Sequence, residues 1–347
     1  MPDQNRPLRK LGFLTIGLFD PANPAAGHES TLQVIELGER LGFDSAWLRH
    51  RHLQFGISSP VAVMAAASQR TSRIELGTAV TPLGWENPLR LAEDLATTDL
   101  LAGGRINSGL SVGEPMRWDT VKHGLYPDSA AVEDFSYARV ERFARLVAGE
   151  PVRDFSGKQG VVEEFSNRVE PHSPGLRDRL WYGAASLKSA VWAGGNGFNL
   201  LSSSVIFPDA GDEPDFARIQ QSQIRAYRDA AAASGQPQER TRVSQGLVVI
   251  PTDSASAAQR KKYQQYVDER TPRTAAPQGP KRMLFARDLI GTSGQIAEQL
   301  YAHVGFQEVD EVAFALPFSF EHEDYVQILT DIATRLGPAL GWAPAGA

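Results

Sequence analysis

Residues 73–113 read RIELGTAVTPLGWENPLRLAEDLATTDLLAGGRINSGLSVG. The stretch opens with an apolar run of strand length, continues over residues 88–104 with apolar side chains at helical spacing, and closes with a second strand over residues 105–113. Gly103 and Gly104 are typical of the end of a helix. A strand, a helix and a second strand in this order predict a right-handed βαβ unit, and therefore a parallel sheet.

The same cycle occurs on both sides of this stretch. The other apolar runs of strand length are residues 11–18, 44–48, 180–185, 198–204, 242–250 and 309–318. Helical patterns separate them, so the chain contains eight strand–helix cycles. We predict the α/β class and one (β/α)8 TIM-type barrel domain over residues 1–347, with insertions after strands 4 and 7.

The local composition predicts two loops. Residues 19–30 are rich in proline, glycine and asparagine, so we expect the first helix to begin only at residue 31. Residues 270–288 open with a basic, proline-rich segment that is too polar to pack. We expect them to form a mobile insertion loop over the barrel.

Composition excludes several classes of protein. The formal net charge of −6 argues against a nucleic-acid-binding surface. The chain has no cysteine, which removes disulfides, thiolate catalysis and cysteine-ligated metals. The N-terminus lacks the apolar segment of a signal peptide and no stretch is long enough to span a membrane, so we expect a cytoplasmic protein.

Residues 43–52, FDSAWLRHRH, end a predicted strand in a basic cluster. The C-terminal rim of a parallel barrel is where active sites lie. His50 and His52 are two residues apart and point to the same side of a strand, whereas Arg49 and Arg51 point to the other. Such a histidine pair could be half of a metal site, but the other strand ends offer no histidine, so we expect no metal. A plain polar loop is the competing interpretation.

Residues 183–189, GAASLKS, follow a strand and open a helix. The main-chain N–H groups there, together with hydroxyl groups at the helix start, favour an anion site. An ordinary serine N-cap is the alternative. The residues of this candidate anion site are Gly183, Ala184, Ala185, Ser186 and Ser189.

Further candidates lie where strands end or loops begin. Thr78 and Ser111 close two strands, and their small side chains leave room for a flat ring, although a tight barrel interior would select the same residues. Trp85 follows the third strand, and we expect it to wall the substrate pocket. His123 and Tyr126 precede a helix and are further candidates for that pocket.

These segments resemble the bacterial-luciferase-like flavin-dependent monooxygenases. The resemblance spans most of the chain with gaps. It is carried by GFDSAWL (42–48), TSRIELGTAV (71–80), NPLRLAEDLATTDLLAGGRINSGLSVG (87–113), WYGAASLKSAVWAGGNGFNLLSS (181–203) and FALPFSFEHEDYVQILTDIA (314–333).

The resemblance implies a TIM-type barrel that binds reduced FMN at its C-terminal rim and uses O2 on a small organic substrate. It also implies that Thr78 and Ser111 contact the isoalloxazine ring. Ser186 and Ser189 would hold the flavin phosphate, with Arg139 reaching it from a neighbouring helix. A homodimer is expected by the same analogy. The chain has no GxGxxG segment, so a separate NAD(P)H-dependent flavin reductase would supply the reduced flavin.

The cluster at the end of the second strand departs from the family pattern. The family carries an acidic residue and two histidines there, and His50, Arg51 and His52 take those three places. Val112 stands where relatives often carry an arginine. We assign His50 and His52 to proton transfer and Arg51 to the substrate pocket.

The leading hypothesis is therefore a flavin-dependent monooxygenase. Two alternatives remain open at this point: a deazaflavin-dependent oxidoreductase that transfers hydride without oxygen, and a flavin-binding protein without catalytic activity.

Overall fold

Eight parallel strands close into a barrel in the computed structural model, which describes residues 7–209 and 214–344. Each strand pairs with its neighbours in chain order, and the eighth returns to the first. The strands, numbered β1 to β8, are Lys10–Thr15, Ser45–Leu48, Glu75–Pro82, Ile106–Ser111, Leu180–Ala184, Asn199–Ser202, Val243–Gln245 and Glu311–Ala315. The predicted (β/α)8 barrel is confirmed.

Helices surround the barrel and connect its strands. Those of eight or more residues in the described chain, numbered α1 to α10, are Pro24–Arg40, Pro60–Ser68, Pro88–Leu101, Trp118–Leu125, Tyr137–Val147, Leu187–Gly195, Phe216–Ala233, Ala257–Arg270, Ser293–Ala302 and His322–Asp331. A π-helix, Ile332–Leu336, and a short helix, Gly337–Ala339, continue the last of them. None of the helices in residues 7–209 and 214–344 is long and apolar enough to cross a membrane.

The two predicted insertions lie where expected. The segment after β4 carries α4, α5 and an antiparallel hairpin of Gly157–Gln159 with Glu163–Phe165. The segment after β7 carries α8, α9 and the strand Val249–Pro251, which pairs in parallel with Leu289–Gly291.

The N-terminal end of the barrel is closed by a charge network that is half-buried, with Glu311 fully buried in it. Arg242 donates to Glu75 at 3.0 Å and to Glu311 at 2.9 Å, and its guanidinium lies 4.7 Å from the ring of Trp181. Lys10 binds the other oxygen of Glu75 at 2.6 Å. Because each of these charges has a partner, the barrel end tolerates their partial burial, and the opposite rim is left for a functional site.

Two boundaries differ from the sequence prediction. Helix α1 begins at Pro24, seven residues earlier than expected, because the Asn23 side chain accepts the Ala26 N–H and proline suits a first helical turn. The strand predicted over residues 242–250 breaks at Gly246, so only its first half belongs to the barrel.

The basic, proline-rich part of this segment, residues 270–282, has no buried residue, whereas the residues that follow it up to 288 pack in part. Leu284–Phe285 pairs antiparallel with Val205–Ile206, and Leu284 is 1% exposed. Arg270 also forms an ion pair with Asp288 across the segment. The prediction that the segment is mobile stays a prediction.

Candidate active site

The two histidines after β2 lie on the same side of the chain, as predicted. His50 is buried, and its Nδ1 lies 3.3 Å from Nε2 of His52. The His52 ring stacks on Trp85, with centroids 4.2 Å apart and planes 6° from parallel. The rim of β2 is thereby joined to the loop that follows β3.

A chain of hydroxyl groups fixes the tautomer of His50. Thr78 donates to the Gly109 carbonyl at 2.9 Å, and therefore accepts the hydroxyl proton of Thr81 at 3.1 Å. Because Thr81 already donates its hydroxyl proton to Thr78, it accepts a hydrogen bond from Nε2–H of His50 at 3.0 Å. The His50 Nδ1 lone pair consequently points toward His52.

His50 stays neutral at physiological pH. Burial first, and the neighbouring His52 second, lower the pKa of His50 to about 3. Burial also lowers the pKa of His52. His50 is therefore a weak base that orients His52. The sequence assigned proton transfer equally to both histidines, and the structure favours His52 for that role.

Glu86 completes this group, and the sequence reasoning missed it. One ligand atom from each of Glu86, His50 and His52 lies within 4.8 Å of the other two, and we call these three residues the rim triad. Burial, reinforced by Asp94, raises the pKa of Glu86 to about 7. A carboxyl group that titrates near neutrality is suited to proton transfer. Its place beside Trp85 in the loop after a barrel strand was the available signal.

The rim triad has the donor set of a transition-metal site, two imidazoles and one carboxylate. The sequence argument against metal counted only histidines at strand ends, so it overlooked a carboxylate from a loop. A tetrahedral zinc site would need ligand atoms roughly 3.4 Å apart. The carboxylate would have to move closer before the triad could hold an ion.

A cavity of about 130 Å³ lies inside the C-terminal end of the barrel and opens to solvent. Small side chains dominate its wall. The lining residues are Leu14, Arg49, Ala79, Val80, Gly183, Ala184, Ala185, Leu201, Ser202, Ser203, Ser204, Ser244, Gly246, Ala313 and Ala315. Large side chains therefore do not fill this end of the barrel.

One feature of the cavity fits a bound polar ligand. A Cβ atom at Gly183 would lie 2.7 Å from Val80 Cγ1, so Gly183 packs against Val80 and leaves no room for a side chain. The Ser244 hydroxyl is buried in the wall and has no hydrogen-bond partner in residues 7–209 and 214–344. A ligand with ring carbonyl or N–H groups would satisfy it.

The segment 183–189 contributes both to the cavity and to a helix cap. Gly183, Ala184 and Ala185 line the cavity. Ser186 caps α6, its hydroxyl lies 2.9 Å from that of Ser189, and the two serines form a capping box. The ordinary N-cap interpretation is therefore realised, and phosphate binding at this helix start stays a prediction.

Contrary to expectation, neither Thr78 nor Ser111 is part of the cavity wall. Thr78 is fully buried, accepts the Gly109 N–H at 3.0 Å and uses its remaining hydrogen-bonding capacity in the hydroxyl chain. It has no hydrogen bond left for a flavin ring. Ser111 ends β4 half-buried and is not part of the cavity wall.

Arg139 holds loops together in this structure. Its guanidinium donates to the main-chain carbonyls of Leu83 and Glu86 at 2.9 and 2.7 Å, to Glu133 at 2.9 Å and to the Tyr126 hydroxyl at 2.6 Å. The sequence expected it to reach a phosphate, but the structure directs its donors to these groups. It thereby fixes the main chain that carries the carboxylate of the rim triad.

The remaining candidates for the substrate pocket lie in different parts of the structure. Tyr126 donates to the Gly84 carbonyl at 3.0 Å and so belongs to the Arg139 cluster. His123 lies exposed on α4. Arg51 stays at the rim, with its guanidinium 5.9 Å from the ring centroid of Phe318.

Comparison with known proteins identifies the family. The family model described as luciferase-like monooxygenase matches residues 10–308, most of the chain. The chain belongs to this family. The sequence resemblance is thus confirmed, together with its barrel fold.

Curated relatives include a protein named as a monooxygenase and one named as an F420-dependent dehydrogenase. The chain is 36% identical over 125 residues to limonene 1,2-monooxygenase of Rhodococcus erythropolis, covering 35% of this chain and 31% of that protein. It is also 36% identical over 133 residues to F420-dependent glucose-6-phosphate dehydrogenase of Kribbella flavida, covering 36% and 37%. The matches span about a third of each relative.

The fold extends over whole solved structures. The oxygenating constituent of 3,6-diketocamphane monooxygenase from Pseudomonas putida, solved in complex with FMN, superposes with a TM-score of 0.65 and 14% identity. The match covers 95% of this chain and 98% of that one. At this identity the likeness establishes the fold alone.

Proposed function

We propose that the protein is a flavin-dependent monooxygenase that uses reduced FMN and O2 to oxidise a small organic substrate. The observation that carries this proposal is the cavity walled by small residues at the C-terminal rim of a luciferase-like barrel. Bound reduced FMN would supply the electrons that activate oxygen. The reduced flavin would come from a separate NAD(P)H-dependent reductase, and the protein would act as a homodimer.

The residues of this chain would divide three tasks. Gly183, Ala184 and Ala185 leave space for the ring, while the start of α6 would receive the phosphate through main-chain N–H groups. Glu86 would exchange a proton near neutral pH, because burial sets its pKa at about 7. His52, held flat against Trp85, would relay that proton, and neutral His50 would orient the relay.

A second cofactor is favoured by one observation. A relative that is 36% identical is named as F420-dependent, so a deazaflavin could occupy the same barrel and transfer hydride instead. A flavin-binding protein without turnover is the remaining alternative.

Titration of the protein with oxidised FMN, reduced FMN under anaerobic conditions, and F420 tests these proposals. The monooxygenase proposal expects tight binding of reduced FMN, followed by a spectral change after O2 is admitted. Binding of F420 alone would favour hydride transfer. Absence of FMN binding in both redox states would refute the proposal.

A further inference from the structure

Arg49 is a cation without a partner in the wall of the cavity. It follows β2 directly, and its side chain lines the barrel cavity. Its guanidinium makes no hydrogen bond or ion pair with any residue in the ranges 7–209 and 214–344. Burial first, and the nearby charge of Arg51 second, lower the pKa of Arg49 to about 10.

Other arginines set into the structure do have partners. Several bind carboxylates and others saturate main-chain carbonyls. The carboxylate pairs are Arg139 with Glu133, Arg179 with Asp99, Arg242 with Glu75 and Glu311, and Arg270 with Asp288. Arg105 donates to the carbonyls of Ala102, Ile74, Ser68 and Thr71. Arg49, which is half-buried, therefore differs from these arginines in lacking such a partner within the described ranges.

An unpaired charge that is removed from water destabilises the fold unless an opposite charge compensates it. Among residues 7–209 and 214–344 no acidic group compensates Arg49, and the space beside it is the cavity. Arg51 adds a second positive charge at the same rim and likewise forms no ion pair within the described ranges. The pair produces a positive field where a ligand would enter.

We propose that Arg49, supported by Arg51, binds an anionic group of the substrate, so that the substrate is a small organic acid such as a carboxylate. This inference rests on the proposed function and names its substrate class. A guanidinium suits a carboxylate because it can donate two parallel hydrogen bonds to the two oxygens.

The position of Arg49 separates this group from the phosphate of a flavin. The predicted phosphate site at the start of α6 follows β5, whereas Arg49 follows β2. These strands are three positions apart in a ring of eight, so the two sites lie at different strands of the barrel rim. A phosphate bound at α6 leaves Arg49 free for a second anionic group.

Benzoate and benzamide are suitable probes because they share a shape and differ in charge. Their dissociation constants are measured by calorimetry on the full chain, with and without FMN. The variants are Arg49→Met and, as a matched control, Arg40→Met, which removes an exposed arginine at the end of α1, at the opposite end of the barrel. We expect benzoate to bind the natural chain roughly 10- to 100-fold more tightly than benzamide. Arg49→Met should abolish this preference and Arg40→Met should retain it.

Thermal unfolding without ligand separates a ligand-binding role from a structural one. Since Arg49 has no protein partner, Arg49→Met should keep or raise the melting temperature. A lower melting temperature with an intact benzoate preference would overturn the inference, as would equal binding of benzoate and benzamide by the natural chain.

Riboflavin and FMN provide the remaining comparison, since they differ only in the phosphate. If Arg49→Met weakened FMN but not riboflavin, Arg49 would bind the flavin phosphate, and the substrate assignment would be refuted. A failure of FMN to bind would refute the proposed function, whereas the benzoate comparison decides the present inference on its own.

Discussion

Replacing Glu86 by glutamine should make the fold more stable at alkaline pH and leave it unchanged at acidic pH. The Glu86 carboxylate is set into the rim and accepts no hydrogen bond from residues 7–209 or 214–344. Burial, with a further contribution from Asp94, raises its pKa to about 7 from an ordinary value of 4.5. Glutamine keeps the shape of the side chain and removes the titration.

The sign of the effect follows from proton linkage. Below pH 4.5 the carboxyl group is protonated in both the folded and the unfolded chain, and it contributes nothing. Between pH 4.5 and 7 the unfolded chain releases its proton first, so stability falls as pH rises. Above pH 7 the penalty is complete, at most about 3 kcal/mol from the two pKa values. Partial solvent contact of the side chain lowers the expected value to about 1–2 kcal/mol.

Urea unfolding at pH 4 and pH 8, followed by circular dichroism, measures this difference. We expect Glu86→Gln to raise the free energy of unfolding by about 1–2 kcal/mol at pH 8 and to leave it unchanged at pH 4. Glu298→Gln, an exposed change on α9, is the matched control and should show no such dependence. An equal effect of Glu86→Gln at both pH values would refute the assigned pKa and the proton-transfer role built on it.

Three further outcomes are expected. Arg242→Met should reduce the free energy of unfolding by about 3–5 kcal/mol, because Glu75 and Glu311 lose their shared cation; a loss below about 1 kcal/mol would contradict the closing role of this network. Thr81→Val should cost about 1–3 kcal/mol in the same assay, since the buried Nε2–H of His50 loses its acceptor; unchanged stability would contradict the hydroxyl chain. Elemental analysis should find no stoichiometric transition metal, because both ring nitrogens of His50 already have hydrogen-bond partners; a metal-to-chain ratio near one would contradict this.

The barrel could be predicted because short stretches of sequence determine its strands and helices. Apolar runs of strand length alternate with helical patterns through the chain, and right-handed connections leave few other arrangements. The predicted start of α1 was wrong for an equally local reason. Proline and asparagine in residues 19–30 read as a loop, yet Asn23 and Pro24 form a helix cap and a first turn.

The site could be predicted only in part. The alternation of side chains along β2 correctly placed His50 with His52 and set Arg49 on the other side. The contact with Glu86 could not be foreseen, because it depends on how the loop after β3 folds over a neighbouring strand end. Arg139 was assigned to a phosphate by resemblance, but two of its donors bind the main-chain carbonyls of Leu83 and Glu86, which are distant in sequence.

The sequence by itself determined the barrel, the rim on which a site must lie, and the family to which the chain belongs. These follow from periodicity and from ordered local segments. The tertiary structure alone decided that the hydroxyl groups of Thr78 and Thr81 form hydrogen bonds inside the protein. It also decided that burial raises the pKa of Glu86 and that Arg49 has no partner among the described residues. Hydrogen bonds and desolvation depend on neighbours from other strands, and strand spacing in the sequence does not specify those neighbours.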